Sequence, residues 1–258
     1  MFSNARLHSK IRLRVNRLMQ RAINFARPAP SYRPFTVDQL LNNQASRDLI
    51  ERFSDVYYKS GAPPELNWRG DTILKNPCDL WMIVELLQRI RPTVVIETGT
   101  HRGGSASFYA DMLKLIGVQA TIITVDLNPK WSFDPADKCI ESIVGYSSDA
   151  NVQNQVRSAV DRALVARPGP VMAMLDSEHS EANVSQELRL VAPFVTLGSY
   201  LIVEDTNVNG HPSSPEHGPG PWEAVDKFLA ARTDFIADRE CERFLLTFFP
   251  RGWLKRVK

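Results

Sequence analysis

Apolar and polar positions along this chain fall into distinct regimes. From residue 93 to residue 204, short apolar runs alternate with longer stretches whose apolar residues recur at three- and four-residue steps. The runs at 93–97, 120–126, 140–144, 171–176 and 199–204 are rich in branched residues and predict buried strands. Between them, 104–116, 150–166 and 181–192 predict helices. Beyond a Gly/Pro/His-rich loop at 207–221, the pattern predicts a helix at 222–231 and two late strands near 234–237 and 244–249. Strand–helix alternation of this kind builds a parallel, doubly wound α/β sheet. Two late strands joined by a short connection add an antiparallel pair at one edge.

Ahead of this region the pattern is helical. Residues 36–60 predict a helix that buries Leu40, Leu41, Leu49, Ile50 and Phe53. Residues 61–79 are irregular, and 79–90 predict a second helix ending before Pro92. The N-terminal arm predicts an amphipathic helix with Leu7, Ile11, Val15, Leu18, Ala22 and Phe25 on one stripe, stopped by Pro28, Pro30 and Pro34.

Composition changes this picture only through charge. The 258 residues are 43% hydrophobic and 23% charged, with a formal net charge of +2. No apolar stretch reaches the roughly 18–20 residues of a membrane span. Cys78, Cys139 and Cys241 show no zinc-binding spacing and no disulfide framework. Residues 1–33, however, hold Arg6, Lys10, Arg12, Arg14, Arg17, Arg21, Arg27 and Arg33 with no acid. Residues 250–258 hold Arg251, Lys255, Arg256 and Lys258, also with none. All 29 acids therefore lie in an acidic body between two basic ends. That body argues against nucleic acid as a partner. The arm fits an anionic membrane surface, packing on the body or another subunit, or a cleaved transit peptide. The expected location is cytoplasmic, with a peripheral membrane position open to the arm, and a homo-oligomer is expected.

In an open parallel sheet, ligands bind outside the carboxyl ends of the strands. An acid ends or closely follows all five predicted strands: Glu97, Asp126, Asp149, Asp176 and the pair Glu204-Asp205. The first turn reads Glu97-Thr98-Gly99-Thr100-His101-Arg102-Gly103-Gly104-Ser105. Gly99 permits a sharp turn with positive φ, and Gly103 and Gly104 clear side chains where a ligand approaches the helix start. The GxxxGG spacing departs from the GxGxxG of dinucleotide sites. With Asp126 placed to accept from a ribose diol, the pattern points to an adenosine-containing cofactor. If the strands ending at Asp176 and Glu204-Asp205 are neighbours, three carboxylates converge, which is costly without a cation. Hard oxygen donors fit Mg²⁺ ahead of Ca²⁺ or Mn²⁺. His179, one helical turn beyond Asp176, can take a proton from a metal-bound hydroxyl.

Together these residues resemble the class I S-adenosylmethionine-dependent methyltransferases, and more closely the cephalosporin hydroxylase / rhamnosyl O-methyltransferase family. The marks are Trp68-Arg-Gly, Lys75-Asn-Pro77-Cys-Asp79-Leu-Trp81, Ile96-Glu-Thr-Gly-Thr, Gly103-Gly-Ser-Ala, Asp176-Ser-Glu-His179 and Val203-Glu-Asp-Thr206. Gly218-Pro-Gly-Pro-Trp222-Glu-Ala-Val and Leu246-Thr-Phe-Phe-Pro250-Arg-Gly-Trp-Leu254-Lys complete them. The resemblance runs from about Trp68 to the C-terminus and leaves 1–67 outside.

The resemblance implies a Rossmann-like, seven-stranded, mostly parallel sheet of order 3-2-1-4-5-7-6 with an N-terminal helical extension. The organisation is then a basic arm and Pro-rich linker (1–34), a helical cap region (35–92) and a methyltransferase domain (93–258). It implies S-adenosylmethionine on Glu97, Thr98, Gly99, Gly103, Gly104, Ser105 and Asp126, with Ser148 and Asp149 toward the adenine. It also implies Mg²⁺ on Asp176, Glu204 and Asp205, and His179 beside Asp176 as the base. Trp68, Lys75, Asp79 and Trp81 are candidates for the acceptor wall, and His211 and His217 for acceptor contact from a lid at 207–221. The implied activity is Mg²⁺-dependent methyl transfer to a sugar hydroxyl, free or in a glycolipid, polysaccharide or natural-product glycoside. The alternatives are a catechol or phenol acceptor, an oxygenase of the cephalosporin hydroxylase type, and a non-catalytic scaffold. An iron oxygenase wants two histidines and a carboxylate at one point, and only His179 is well placed.

Overall fold

The computed structural model describes residues 36–61, 66–128, 130–131, 133 and 138–258. The arm helix and its Pro-rich linker lie outside the described residues. Val37–Lys258 form one compact unit. In it α1 (Val37–Asn42) and α2 (Gln44–Lys59) precede a two-stranded hairpin, β1 (Asn67–Trp68) and β2 (Asp71–Thr72), and then α3 (Pro77–Ile90). The alternating region follows as β3 (Val94–Thr98), α4 (Gly104–Leu115), β4 (Thr121–Asp126), β5 (Ile140–Val144), α5 (Ala150–Ala166), β6 (Val171–Leu175), α6 (Glu181–Val191) and β7 (Tyr200–Val203). The chain then runs through α7 (Pro221–Ala231), β8 (Phe235–Ala237) and β9 (Trp253–Arg256).

The large sheet has the order β5-β4-β3-β6-β7-β9-β8. Counted within that sheet this is 3-2-1-4-5-7-6, the expected order. β3 to β7 are parallel, and β9 runs antiparallel to both β7 and β8. Because side chains alternate across a strand, the sheet has a core on each face. Val94, Ile96, Ala173, Leu175, Leu201 and Val203 pack with α5, α6 and α7 residues such as Val156, Leu188 and Val225. Val95, Met172, Met174, Tyr200 and Ile202 face α3 and α4, with Ile83, Leu87, Tyr109 and Leu113. Continued by two residues, that second register puts Glu97, Asp176 and Glu204 on the face of α3 and α4.

Several local expectations are corrected. The helix expected over 36–60 is two helices, because the Asn43 side chain accepts the Ser46 N–H and caps a new start. Its inner face is not the expected one: Leu49 and Phe53 are 69% and 55% exposed. Ser54 is buried instead, Tyr57 packs tilted on Phe248, and Tyr58 meets Phe248 edge-on. Trp81 likewise points outward, 59% exposed. The late strand expected at 244–249 is absent, and the partner of β7 comes after the Pro250–Gly252 turn, as β9. Phe248 and Phe249 are buried, but the Phe248 N–H goes to the Asp79 carboxylate, 2.8 Å away, rather than into a ladder.

Asp79 is therefore a clamp and not an acceptor wall. It is 2% exposed. Its Oδ2 takes both the Phe248 N–H and the Asn76 amide, while Asn76 caps α3 through the Cys78 and Asp79 N–H groups. Burial pushes its carboxyl up to about 7 from an ordinary 3.8, against the Phe248 and Thr247 donors that pull it down.

The β3–α4 turn is equally constrained. Gly99 has φ +90°, donates to the Val125 carbonyl, and lies so close to β6 that a Cβ would stand 1.7 Å from the Asp176 carbonyl oxygen. A side chain there separates the two central strand ends.

Asp79→Ala strands a buried N–H and should cost about 1–3 kcal/mol in urea unfolding. Native Asp79 holds its proton more tightly than the unfolded chain does. Its contribution is thus complete below about pH 4 and lost as pH rises through about 7. Asp79→Asn, measured at pH 5 and pH 8, should flatten that slope. Gly99→Ala combines overpacking with positive φ and should cost about 2–5 kcal/mol in the same assay.

Candidate active site

A cleft of about 580 Å³ opens at the carboxyl edge of the sheet. One end is lined by Gly99, Thr100, His101, Ser105, Val125, Asp126 and the segment Gly145–Tyr146–Ser147. The other holds Lys75, Asp176, Ser177, His179, Asn183 and Asp205. The ladder aligns these ends: Asp176 N–H donates to Thr98 O and Glu204 N–H to Leu175 O, both at 2.9 Å. Neighbouring strand ends thus bring Gly99, Asp176 and Glu204 together.

At the first end, Asp126 already accepts two backbone donors, His101 N–H at 2.7 Å and Asn128 N–H at 2.9 Å. These fix the carboxylate and leave each oxygen one lone pair toward the cleft. Glu97 is 1% exposed. Its Oε2 accepts from Thr124 Oγ1 at 2.6 Å, and its Oε1 is buried without a partner. Burial pushes Glu97 up to about 7, with Lys75 opposing. Thr98 is fully buried. Gly103 and Gly104 yield to protein rather than to a ligand: a Cβ on Gly103 would meet Phe133, and one on Gly104 the Thr72 carbonyl. Ser148 and Asp149 lie beyond the cleft, whose wall is made by residues 145–147. Asp149 instead caps α5 by accepting from Asn151 and Val152 N–H.

The acidic end departs from the expected grouping. Asp176, His179 and Asp205 each offer a ligand atom, all within 4.8 Å of one another. His179 Nε2 lies 3.2 Å from Asp205 Oδ2. Asp205 sits at φ +52°, a left-handed conformation costly for a non-glycine residue. Burial pushes its carboxyl up to about 6, with His179 opposing. Glu204 stands apart from this trio. It is 2% exposed and pairs with Lys75 Nζ at 2.6 Å, while its other oxygen is buried without a partner. The same Nζ is 2.7 Å from Asp176 Oδ2. Lys75, itself 1% exposed, is thus committed to two acids. Burial lowers its pKa and the two carboxylates raise it further, so it stays charged.

The remaining candidates scatter. Trp68 Nε1 donates to Asp111 Oδ2 at 2.7 Å and its ring meets Phe108 edge-on, which makes it a packing residue. His211 stacks on Trp222 with centroids 4.2 Å apart, contacts Glu223 at 3.0 Å, and lines a second cleft of about 400 Å³. The loop histidine on the side of the acids is His217, one of the groups that oppose the upward push on Asp205. Tyr58 of α2 and Tyr109 of α4 also face this cluster. Burial, then Asp205 and Asp176, push Tyr58 up to about 12. Tyr109 is fully buried with its hydroxyl unpartnered. No sequence signal marks either tyrosine as part of a site.

The donor set fits a hard divalent cation: two carboxylates and an imidazole converge, and an orphaned Glu204 oxygen lies close by. The first end fits a nucleoside with its carboxylate, backbone amides and small residues.

A family model for rhamnosyl O-methyltransferase/CmcI matches residues 62–257. A rhamnosyl O-methyltransferase of Mycobacterium tuberculosis is 34% identical over 210 residues, covering 81% of this chain and 85% of the relative. One from Mycobacterium leprae is 33% identical over 213 residues, covering 81% and 90%. A solved structure of CmcI with Mg and SAM aligns with TM-score 0.57 at 21% identity, covering 76% of this chain and 78% of that one. That likeness carries the fold alone. The chain belongs to the rhamnosyl O-methyltransferase/CmcI family of S-adenosylmethionine-dependent O-methyltransferases.

Proposed function

We propose that this enzyme transfers the methyl group of S-adenosylmethionine to a hydroxyl of a sugar, with a rhamnose-bearing glycoconjugate as the first candidate acceptor. The observation that carries this reading is the meeting of Asp176, His179 and Asp205 at one end of a cleft whose other end holds Gly99 and Asp126. The mycobacterial relatives are named for rhamnosyl methylation, and CmcI has been solved with Mg and SAM.

In this reading the Glu97–Ser105 turn and Asp126 hold the nucleoside and amino-acid parts of the methyl donor. Asp176 and Asp205 hold Mg²⁺, with Glu204 behind them. When bound, the cation lowers the pKa of an acceptor hydroxyl and orients it. His179 takes the hydroxyl proton on the ring nitrogen that Asp205 does not engage, and the contact of Asp205 with Nε2 orients the ring. Loop 207–221 closes over the acids and brings His217 near Asp205, which excludes water. Holding the two reactants in one geometry contributes up to about 7–11 kcal/mol. Lys75 is withdrawn from the acceptor-contact role by its two ion pairs, and Trp68, Asp79 and His211 by the contacts described above. The basic arm, outside the family match, serves location at an anionic membrane surface.

Radiolabelled S-adenosylmethionine should methylate rhamnosyl conjugates, with EDTA abolishing turnover and Mg²⁺ restoring it. Turnover that survives EDTA would remove the metal from the mechanism. Labelling of catechols but not sugars would move the acceptor to the phenol class. His179→Ala should lower kcat by about 10²–10⁴-fold with little change in S-adenosylmethionine affinity. Removing residues 1–33 should spare turnover on a short rhamnosyl conjugate and weaken binding to phosphatidylserine vesicles. Unchanged vesicle binding would end the membrane reading of the arm.

A further inference from the structure

We propose that the second cleft, beside Trp222, is a phosphate-binding subsite. Through it the enzyme anchors an acceptor that carries a phosphate ester, while a sugar hydroxyl of the same molecule reaches the strand-end acids. This rests on the sugar-methylation reading and deepens it by naming the charge of the acceptor.

The cleft, about 400 Å³, is lined by three arginines from separate parts of the chain: Arg47 of α2, Arg239 of a 3₁₀ turn at Arg239–Glu242, and Arg251. Arg251 is already held. It pairs with Asp226 at 2.8 Å and lies over the Trp222 ring, 5.0 Å from its centroid. Trp222 is fixed in turn by its stack with His211. Arg47 and Arg239 differ. The Nε of each is buried and finds no hydrogen-bond partner among the described residues. A guanidinium does not shed its proton, so a buried N–H of this kind is left to an acceptor from outside. The acids of the cleft do not meet the demand. Glu51 is exposed. Glu242 is buried and gives Oε1 to the Arg251 N–H at 3.0 Å, and the charges of Arg239 and Arg251 act on it through space. Helix polarity adds to the positive field. Arg47 stands in the first turn of α2, which holds no acid, where the dipole favours an anion.

Two guanidiniums with unpartnered donors, beside a third that is fixed, match a ligand of charge near −2 with several acceptor oxygens. A phosphate monoester carries about −1.5 to −2 at pH 7 and offers three such oxygens. Guanidinium groups bind it with paired N–H donors. The cleft adjoins the catalytic one along α2. Ser54 lines the second cleft, and Tyr58, one helical turn on, faces Asp205 and Asp176. A rise of about 6 Å separates those two positions along the helix. One molecule can therefore set a phosphate against the arginines and a hydroxyl at the acids. Arg47 lies outside the family match at 62–257, so this end of the acceptor is read partly by the chain's own N-terminal region. The arginines bind and take no part in methyl transfer.

The test uses the full-length protein. Inorganic phosphate is titrated by calorimetry in EDTA, without S-adenosylmethionine, and Tm is followed alongside. Arg47→Met and Arg239→Met should each weaken phosphate binding at least about tenfold and lose the phosphate-induced rise in Tm. Arg157→Met, which removes an exposed arginine of α5, should match the wild type. Arg47→Lys and Arg239→Lys keep the charge without the fork and should fall between wild type and the Met variants. They carry the comparison if a Met variant does not fold. Turnover is then measured with Mg²⁺ on two rhamnosyl conjugates that differ only in a phosphate ester on the aglycone. On the phosphorylated conjugate the Met variants should raise KM at least about tenfold with kcat unchanged, and on the neutral one neither constant should move. A wild type that binds no phosphate, or that shows equal KM for both conjugates, overturns the inference. So does arginine-dependent binding to phosphatidic acid vesicles without a KM advantage for the phosphorylated conjugate, which would give the cleft to a lipid headgroup. Phosphate binding that needs both arginines, with no turnover on either conjugate, would instead overturn the sugar-methylation reading.

Discussion

Three carboxylates that end adjacent strands cannot share a buried edge without positive charge, and the ion pairs of Lys75 with Asp176 and Glu204 meet that demand. Much of the site's arrangement depends on this. The sheet register fixes where Asp176 and Glu204 must stand. The alternation of side chains puts them, with Glu97, on the face covered by α3 and α4. Only an element on that face can supply the compensating cation, and the segment leading into α3 does so. The hairpin, the Asn76 cap and Pro77 then read as the means of holding one ammonium at a set position.

The same dependence explains why the helical N-terminal region and the α/β sheet form one compact unit. Asp79 of α3 takes the Phe248 N–H near the C-terminus. Tyr57 and Tyr58 of α2 pack their rings against Phe248, and Tyr58 faces Asp205 and Asp176. A region that looks like an appendage in sequence contributes a cation, a tyrosine and a clamp to the cleft.

The fold was legible because its signals are local. Branched runs, period-3.6 stretches and Gly/Pro breaks depend on neighbouring residues, and the strand ends carried their acids in plain view. From these, the meeting of Asp176 with Asp205 followed once β6 and β7 were adjacent. What could not be read was pairing at long separation. Lys75 meets acids 101 and 129 residues away, and the sequence marks only that a lysine precedes Asn-Pro. For the same reason Phe248-Phe249 resembled a strand, since burial shows in residue type but the destination of a backbone N–H does not. On α2 the stripe of Leu49 and Phe53 is more apolar than the true inner face, because Ser54 is polar and Tyr57 and Tyr58 bury through ring contacts with Phe248 that a hydrophobicity pattern undervalues. Gly103 and Gly104 read in sequence as places where a ligand approaches, whereas the approaching atoms belong to Phe133 and Thr72.

These misreadings share a cause that bears on acceptor choice. The end of the cleft proposed for the methyl donor is built almost wholly from strand ends and the turns that follow them, which the sheet dictates. The other end is walled by segments from separate parts of the chain: residues 72–75 and the stretch from Ser177 to Asn183 that carries His179 into α6. None of them is fixed by the sheet ladder, and each is free to vary without disturbing the strand-end acids. Chemistry at the acids is thereby separated from recognition of what carries the hydroxyl. One scaffold can keep the chemistry of its strand-end acids while the walls around them are reshaped. The family match therefore reaches the reaction more firmly than the acceptor.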